Sequence, residues 1–289
     1  FRVMFRTRFA PSPTGPLHLG HAYSAILAYD MATAAAGQFL LRIEDIDTSR
    51  AREHWETQIY DDLSWLGLQW PLPIMRQSER TSVYSEALSR LWDMGALYPC
   101  TCSRRDIFEA ASAPQEGVPV HGPDGLIYPG TCRPTGPATE GPRPIAATLR
   151  LNVQTLLVPD EQFSFKETGS GPEGQTGIIR FSGRQVMAEI GDVVLARQSM
   201  AAAYHLAVVL DDAAQGVSHV VRGQDLFEAT KIHVVLQRLL GLPTPIYHHH
   251  RLIRDESGKR LAKRDDARAI SAFRLEGLTA TGLLEKIMS

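Results

Sequence analysis

Thr7-Arg-Phe-Ala-Pro-Ser-Pro-Thr-Gly-Pro-Leu-His-Leu-Gly-His21 is the stretch on which the fold turns. Thr7 to Ala10 reads as a strand, the Pro/Gly run as a stiffened turn, and the residues from Gly20 to Ala36 as a helix. Two prolines fix the turn, Gly15 permits an unusual backbone angle, and Gly20 leaves room for a flat ligand against the helix start. His18 and His21 stand three apart, a spacing that puts both imidazoles on one helical face, within reach of one phosphate at the positive end of the helix.

Working outward, Phe39 to Ile43 reads as a second strand, so the opening is a βαβ unit and implies a parallel sheet. Ala25, Ile26, Ala28, Tyr29, Ala32 and Ala36 give the intervening helix its apolar face, and Arg52 to Leu66 and Thr81 to Met94 read as further amphipathic helices. From Ala113 to Pro144 the composition shifts to Pro, Gly and Thr with little periodicity, as in an insertion held by something other than an apolar core. Strand-like alternation returns from Ile145 to Leu151. Ile190 to Leu195, Ala203 to Val209 and Val217 to Val221 are apolar runs suited to buried strands or short helices. Ala229 to Leu240 is a helix closed by Gly241 and Pro243, and a basic loop follows from Arg254 to Arg268.

The expected architecture is an α/β fold with a Rossmann-type parallel sheet, an inserted small zinc-binding subdomain and a short helical C-terminal segment. Its expected divisions are residues 1–99 and 145–240 for the two catalytic halves, 100–144 for the insertion and 241–289 for the basic loop and tail. The chain has 289 residues, 44% of them hydrophobic and 21% charged, which is enough for a substantial core. No run of about eighteen apolar residues occurs and nothing at the start reads as a signal peptide, so a cytoplasmic protein without a membrane partner is expected. A formal charge of -2 neither supports nor excludes RNA, which needs only a local basic surface. Three cysteines, an odd number, argue against a disulfide framework.

Four ordered motifs carry a resemblance. The segment around His18 and His21 resembles the HIGH motif of class I aminoacyl-tRNA synthetases in its glutamyl/glutaminyl form. Arg42-Ile-Glu-Asp-Ile-Asp-Thr-Ser-Arg50 resembles that group's second block, Val220-Val-Arg-Gly-Gln-Asp-Leu226 its third, and Lys259-Arg-Leu-Ala-Lys-Arg264 its KMSKS loop. The resemblance runs from about residue 5 to about residue 270. It implies adenylate formation, in which the substrate carboxylate attacks the α-phosphorus of ATP and the protein positions reactants and stabilises charge. His18, Gly20, His21 and Lys263 are the implied ATP-binding and catalytic residues, with ATP entering as its Mg²⁺ complex. Ala262 departs from the motif, which usually has a serine there.

Glutamate carries two carboxylates and one ammonium, so its pocket calls for two cations and an anion. Arg8, Arg222 and Glu44 meet that need, and the resemblance adds Ser12 and Tyr204; which arginine takes which carboxylate stays open. Asp45 and Asp47 are expected to make structural hydrogen bonds. Cys100, Cys102 and Cys132 bracket the insertion and suit one structural Zn²⁺, with Tyr128 or His121 as fourth ligand. The resemblance favours Tyr128. His248, His249 and His250 form an internal triplet with no ligand role expected.

After Lys263 only 26 residues remain (289 minus 263), too few for a separate anticodon-binding domain. Length and the cysteine and tyrosine pattern resemble the short glutamyl-tRNA synthetase-like family, the glutamyl-Q tRNA(Asp) synthetases, which attach glutamate to queuosine in the anticodon of tRNA(Asp). That resemblance implies queuosine-containing tRNA(Asp) as partner and a monomeric enzyme. Charging of a tRNA 3′ end by a glutamyl-tRNA synthetase paralogue, or a synthetase-like regulator without catalysis, are the alternatives.

Overall fold

The structure, a computed structural model, describes residues 4–111, 121–135, 141–253 and 268–288. The first half runs β1 (Arg6–Phe9), α1 (Leu19–Ala34), β2 (Gln38–Ile43), α2 (Glu53–Trp65), β3 (Met75–Arg76), α3 (Thr81–Asp93) and β4 (Leu97–Pro99). An insertion follows with α4 (Arg104–Ala111) and the hairpin β5 (His121–Gly122) and β6 (Gly125–Leu126). The second half runs β7 (Leu149–Leu151), α5 (Val153–Leu156), β8 (Gln162–Glu167), β9 (Gly177–Ser182), α6 (Gly183–Glu189) and β10 (Val194–Ala196). It continues through α7 (Tyr204–Ala214), β11 (His219–Gly223), α8 (Ala229–Leu240) and β12 (Ile246–His250), and α9 (Ile270–Leu275) and α10 (Ala280–Met288) complete it.

The expected parallel sheet is present. β1 pairs with β2 and β2 with β3, all parallel, and β11, β12 and β8 are likewise parallel neighbours. The two sets meet where the Ser218 N–H donates to the Arg6 carbonyl at 3.0 Å. β9 adds an antiparallel edge to β8, and β4, β7 and β10 form a separate antiparallel sheet, so part of the second half is not the parallel layer expected. β12 lies inside the parallel sheet, which therefore extends beyond residue 240. Of Ala203 to Val209, which composition leaves open between strand and helix, Ala203 is the N-cap and the rest is helical as part of α7.

Small residues let α1 approach the sheet closely. Ala22, Ala25, Ala28 and Ala32 are buried on its inner side, and the Thr7 hydroxyl of β1 donates to the Ala28 carbonyl at 2.8 Å. α10 closes the same core with Leu283 and Ile287. A second core gathers Tyr84, Leu88 and Leu91 of α3 with Phe163 and Phe165 of β8 and the apolar side of α8. α8 ends as its sequence predicts, with Gly241 in the left-handed region at φ 67°.

Candidate active site at the carboxyl ends of the parallel strands

A cavity of about 480 Å³ opens where β1, β11 and β12 end. Arg8, Phe9 and Ala10 come from β1 and its exit, Val221, Arg222 and Gly223 from β11, His250 from β12, and His18, Gly20 and His21 from the start of α1. Ligands in open α/β sheets bind at this end, because the loops leave a crevice there. Glu44 and Tyr204 also line it, so seven of the expected site residues share one cavity. Ser12 is not among its lining residues; its carbonyl accepts the Thr14 N–H at 2.8 Å in the preceding turn. Lys263 and its loop lie outside the described residues.

The two histidines are arranged differently from a pair on one helical face. His18 precedes α1 as its N-cap, in extended backbone at φ -117° and ψ 176°. Gly20 N–H donates to His18 Nδ1 at 3.1 Å and His18 N–H donates to His21 Nδ1 at 3.1 Å, a reciprocal capping box built from imidazoles. The rings stack with centroids 3.7 Å apart. Since each Nδ1 accepts a backbone N–H, the ring proton resides on Nε2 in both, and each Nε2 is a donor. Gly20 has its space taken mainly by His18: a Cβ there would lie 3.1 Å from His18 Cε1 and 3.2 Å from Nδ1.

Arg8 is held from behind. Its Nε donates to Asp212 Oδ1 at 2.9 Å and its second terminal nitrogen to Oδ2 at 3.3 Å, a fork on a carboxylate of α7. Asp212 Oδ1 also accepts from Arg42 at 2.7 Å, and Arg42 donates to Glu44 Oε1 at 3.1 Å. Arg42 is fully buried, so it serves the network and not a ligand. Burial alone would lower its pKa, but the carboxylates of Asp212, Glu44 and Asp211 outweigh that and raise it. Burial works against the Asp212 carboxylate too, yet Arg8 and Arg42 hold it below the usual range. For Glu44 burial wins and raises the carboxyl against the pull of Arg42 and Arg8. Burial likewise raises the Tyr204 phenol. Asp211, next to Asp212, is fully buried and accepts from Gln77, Arg80 and Tyr84 at 2.7–3.0 Å.

Arg222 is fixed by four partners. It donates to His249 Nε2 at 3.1 Å, His233 Nδ1 at 3.1 Å, Thr230 Oγ1 at 2.7 Å and the Leu226 carbonyl at 3.3 Å. A guanidinium has five N–H groups, so four bonds leave one on the terminal nitrogen shared with His233. His249 in turn meets Glu167 at 2.5 Å. The histidine triplet is therefore divided in use: His249 supports Arg222, and His250 faces the cavity with Nε2 3.0 Å from the Ser24 hydroxyl. Asp45 accepts from Ser78 at 2.6 and 2.8 Å and Asp47 from Ser49 at 2.6 Å, structural bonds as expected.

Asp211, Asp212 and His233 carry no expectation from sequence, while Arg42 enters there only as the first residue of the second block and His250 only within a triplet given no ligand role. The acidic pair closing the apolar run of α7 was the available signal, since two adjacent aspartates next to buried residues need cationic partners. Nothing in the sequence says that those partners are Arg8 and Arg42.

A profile of class I tRNA synthetases (E and Q), catalytic domain, matches residues 4–119 and 176–288. The chain belongs to this family. Its membership makes the protein a ligase of the aminoacyl-tRNA synthetase type. Among its relatives, the chain is 60% identical over 271 residues to the glutamyl-Q tRNA(Asp) synthetase of Rhodobacter capsulatus, covering 94% of this chain and 95% of that one. It is 42% identical over 278 residues to the glutamyl-Q tRNA(Asp) synthetase of Symbiobacterium thermophilum, covering 93% of this chain and 81% of that one. In structure it is similar to the glutamate-tRNA synthetase of Elizabethkingia anophelis, with a TM-score of 0.69 and 25% identity over 91% of this chain. The chain spans about half of that structure, 53% of its length. Methionyl-tRNA synthetase of Mycobacterium tuberculosis, at a TM-score of 0.58 and 12% identity, shares the class I fold. Among the described residues no helix is long and apolar enough to cross a membrane.

A second constellation lies in the insertion. The sulfurs of Cys100, Cys102 and Cys132 all lie within 4.8 Å of one another, a group that contains no histidine. Tyr128 Oη is 3.5 Å from Cys100 Sγ and 3.3 Å from Cys102 Sγ, and Cys102 and Cys132 sulfurs are 3.4 Å apart. Tetrahedral zinc with Zn–S bonds of about 2.3 Å needs sulfurs about 3.8 Å apart, so three thiolates and one oxygen fit this spacing. Despite burial, hydrogen bonds from Tyr128 and Thr101 to the sulfur hold the Cys132 thiol down to about 6, toward the thiolate a metal requires. Tyr128, buried beneath the Arg150 guanidinium at 3.8 Å, sits in the cluster, whereas His121 is on the exposed hairpin.

Proposed function

We propose that the protein activates L-glutamate with ATP and transfers it to queuosine in the anticodon of tRNA(Asp). The observation that carries the first step is the single cavity lined by two guanidiniums, the carboxylates of Glu44 and Asp225, and an imidazole-capped helix start. The α- and γ-carboxylates of glutamate match the remaining N–H groups of Arg8 and Arg222, its ammonium matches Glu44, and Tyr204 supplies a hydroxyl. The ATP phosphates lie against Gly20 and the Nε2–H groups of His18 and His21, where the helix end favours negative charge. A glutamate carboxylate oxygen forms a bond to the α-phosphorus, the bond to the bridging oxygen breaks, and pyrophosphate leaves with the electron pair. Lys263 is assigned to the leaving phosphates on its sequence position alone. No side chain has to accept a proton in this step, so donors and positioning suffice.

Cys100, Cys102, Tyr128 and Cys132 are assigned to one structural Zn²⁺, which when bound would hold the insertion where an apolar core is lacking. Replacing Cys132 by Ser is expected to lower zinc content measured by mass spectrometry; unchanged content removes the assignment. Queuosine as the acceptor rests on the relatives' names and on no feature of the cavity. The deciding experiment is glutamate-dependent ATP–pyrophosphate exchange without tRNA, followed by glutamate transfer to tRNA(Asp) with and without queuosine. Exchange without tRNA and transfer only to the queuosine form support the reading. Exchange that needs tRNA, with transfer to a 3′ end, replaces it with an ordinary glutamyl-tRNA synthetase activity.

A further inference from the structure

A line of hydrogen bonds leads from Arg222 out of the amino-acid pocket and into the insertion. Arg222 can only donate, so His233 Nδ1, 3.1 Å away, accepts and the His233 proton must be on Nε2. That Nε2–H points at His205 Nδ1, 3.1 Å away, which puts the His205 proton on Nε2 as well. His205 Nε2 lies 3.3 Å from Asp124 Oδ1. Every imidazole in the line is then neutral, each has one determined tautomer, and the last proton is donated to a carboxylate.

Asp124 comes from the turn of the β5–β6 hairpin, in the insertion, while His205 and His233 belong to α7 and α8. The hairpin is seated tightly against the body. A Cβ on Gly122 would lie 2.4 Å from the Glu189 carbonyl, and a Cβ on Gly191 would lie 2.9 Å from Ile127. His205 and His233 are buried, and Tyr204, which lines the pocket, packs edge-on against both rings at 5.3 and 5.7 Å.

We propose that Asp124 is a positioning residue for amino-acid recognition: its carboxylate accepts the outermost N–H of a line whose tautomers Arg222 fixes, and so holds the His205 and His233 rings where they aim the remaining N–H of Arg222 into the pocket. Without an acceptor at Asp124 the His205 N–H loses its protein partner and the ring is free to turn. Turning takes its Nδ1 away from the Nε2–H of His233, which is then no longer held from its far side. The guanidinium loses a fixed acceptor, and its remaining N–H no longer keeps one direction. The insertion is thereby connected to glutamate affinity and not to ATP, because the line ends on Arg222 and does not touch His18 or His21. This rests on the reading in which Arg222 binds a glutamate carboxylate.

The test is titration calorimetry of full-length protein with glutamate alone and with ATP alone, so that tRNA is not needed. Asp124→Ala is expected to weaken glutamate about five- to tenfold, the scale of one lost buried hydrogen bond, with ATP affinity unchanged. Asp124→Asn, whose amide oxygen still accepts, is expected to stay within about twofold of the parent. Imidazole ¹⁵N spectra should show His205 and His233 with protons on Nε2 in the parent and in Asp124→Asn, and in Asp124→Ala the hydrogen-bonded Nδ1 signal of His205 should shift toward that of an unbonded nitrogen. Arg222→Ala is the control. If it weakens glutamate while Asp124→Ala changes neither affinity nor the imidazole signals, the relay is wrong and the pocket reading stands. If Arg222→Ala itself leaves glutamate binding unchanged, the pocket reading is wrong and the proposal falls with it. Equal loss of glutamate and ATP binding in Asp124→Ala would also overturn it, as general damage to the fold.

Discussion

Asp212 shows what a single buried carboxylate does here. It accepts from Arg8, which faces the pocket, and from Arg42, which does not, so one side chain both neutralises two buried guanidiniums and orients one of them. Replacing it with asparagine leaves two buried cations with one fewer counter-charge, and the expected cost is about 3–5 kcal/mol in urea unfolding. Its depressed pKa makes the contribution pH-dependent. The stabilisation is present above about pH 4, the unfolded value for aspartate, and is lost as pH falls through the lower folded value. Asp62, on the buried side of α2, has the opposite sign. Burial raises its carboxyl to about 6 against the nearby Arg274, and Oδ2 has no hydrogen-bond partner among the described residues. Its contribution is therefore present below about pH 4 and is lost as pH rises through about 6. Asp62→Asn should flatten the unfolding profile between those values and add on the order of 1 kcal/mol at pH 7, a figure reduced from the full shift to allow for solvent screening. An unchanged profile would mean that Asp62 remains solvated.

At the scale of an element, the start of α1 joins stability to chemistry. Imidazoles replace the usual serine and glutamate of a capping box, so the groups that stabilise the helix end are those assigned to the phosphates. His18→Ala should cost about 1 kcal/mol of stability through the lost cap as well as slowing exchange. Gly20→Ala is the sharper change. It keeps every donor but pushes the His18 ring, which would have to yield a few tenths of an ångström, so exchange should fall and the KM for ATP rise while Tm shifts little. An unaltered KM for ATP would show that His18 need not stay in place. The strand–turn–helix of this region was legible because prolines, glycines and an apolar period mark it locally. β8 was equally marked, with Phe163 and Phe165 alternating inward, but its alternation lies beside a Gly/Pro segment that draws attention to loops. Its parallel pairing with β12 has no local sign at all, because the partners are distant in sequence.

For the molecule as a whole, what the sequence could not give is the set of partners that convert motifs into a site. Arg8 and Arg222 were readable as carboxylate binders, yet Asp212 behind one follows an apolar run open between strand and helix, and His233 behind the other sits in a helix whose sequence assigns it no role. Those helices join the pocket to the insertion, and linkage makes the connection reciprocal: if the seated hairpin favours glutamate, bound glutamate must favour the seated hairpin by the same factor. Saturating glutamate is therefore expected to slow backbone hydrogen exchange in 121–126 by about five- to tenfold, matching the affinity effect expected for Asp124→Ala. ATP alone should leave that segment unchanged, since His18 and His21 are not on the line. In Asp124→Ala the protection by glutamate should disappear even at full occupancy, because the hairpin no longer senses which way Arg222 points. Protection that survives in the variant would show that the hairpin is steadied by closure of the pocket in general, through contacts such as Gly122 against Glu189, and not by the imidazole line.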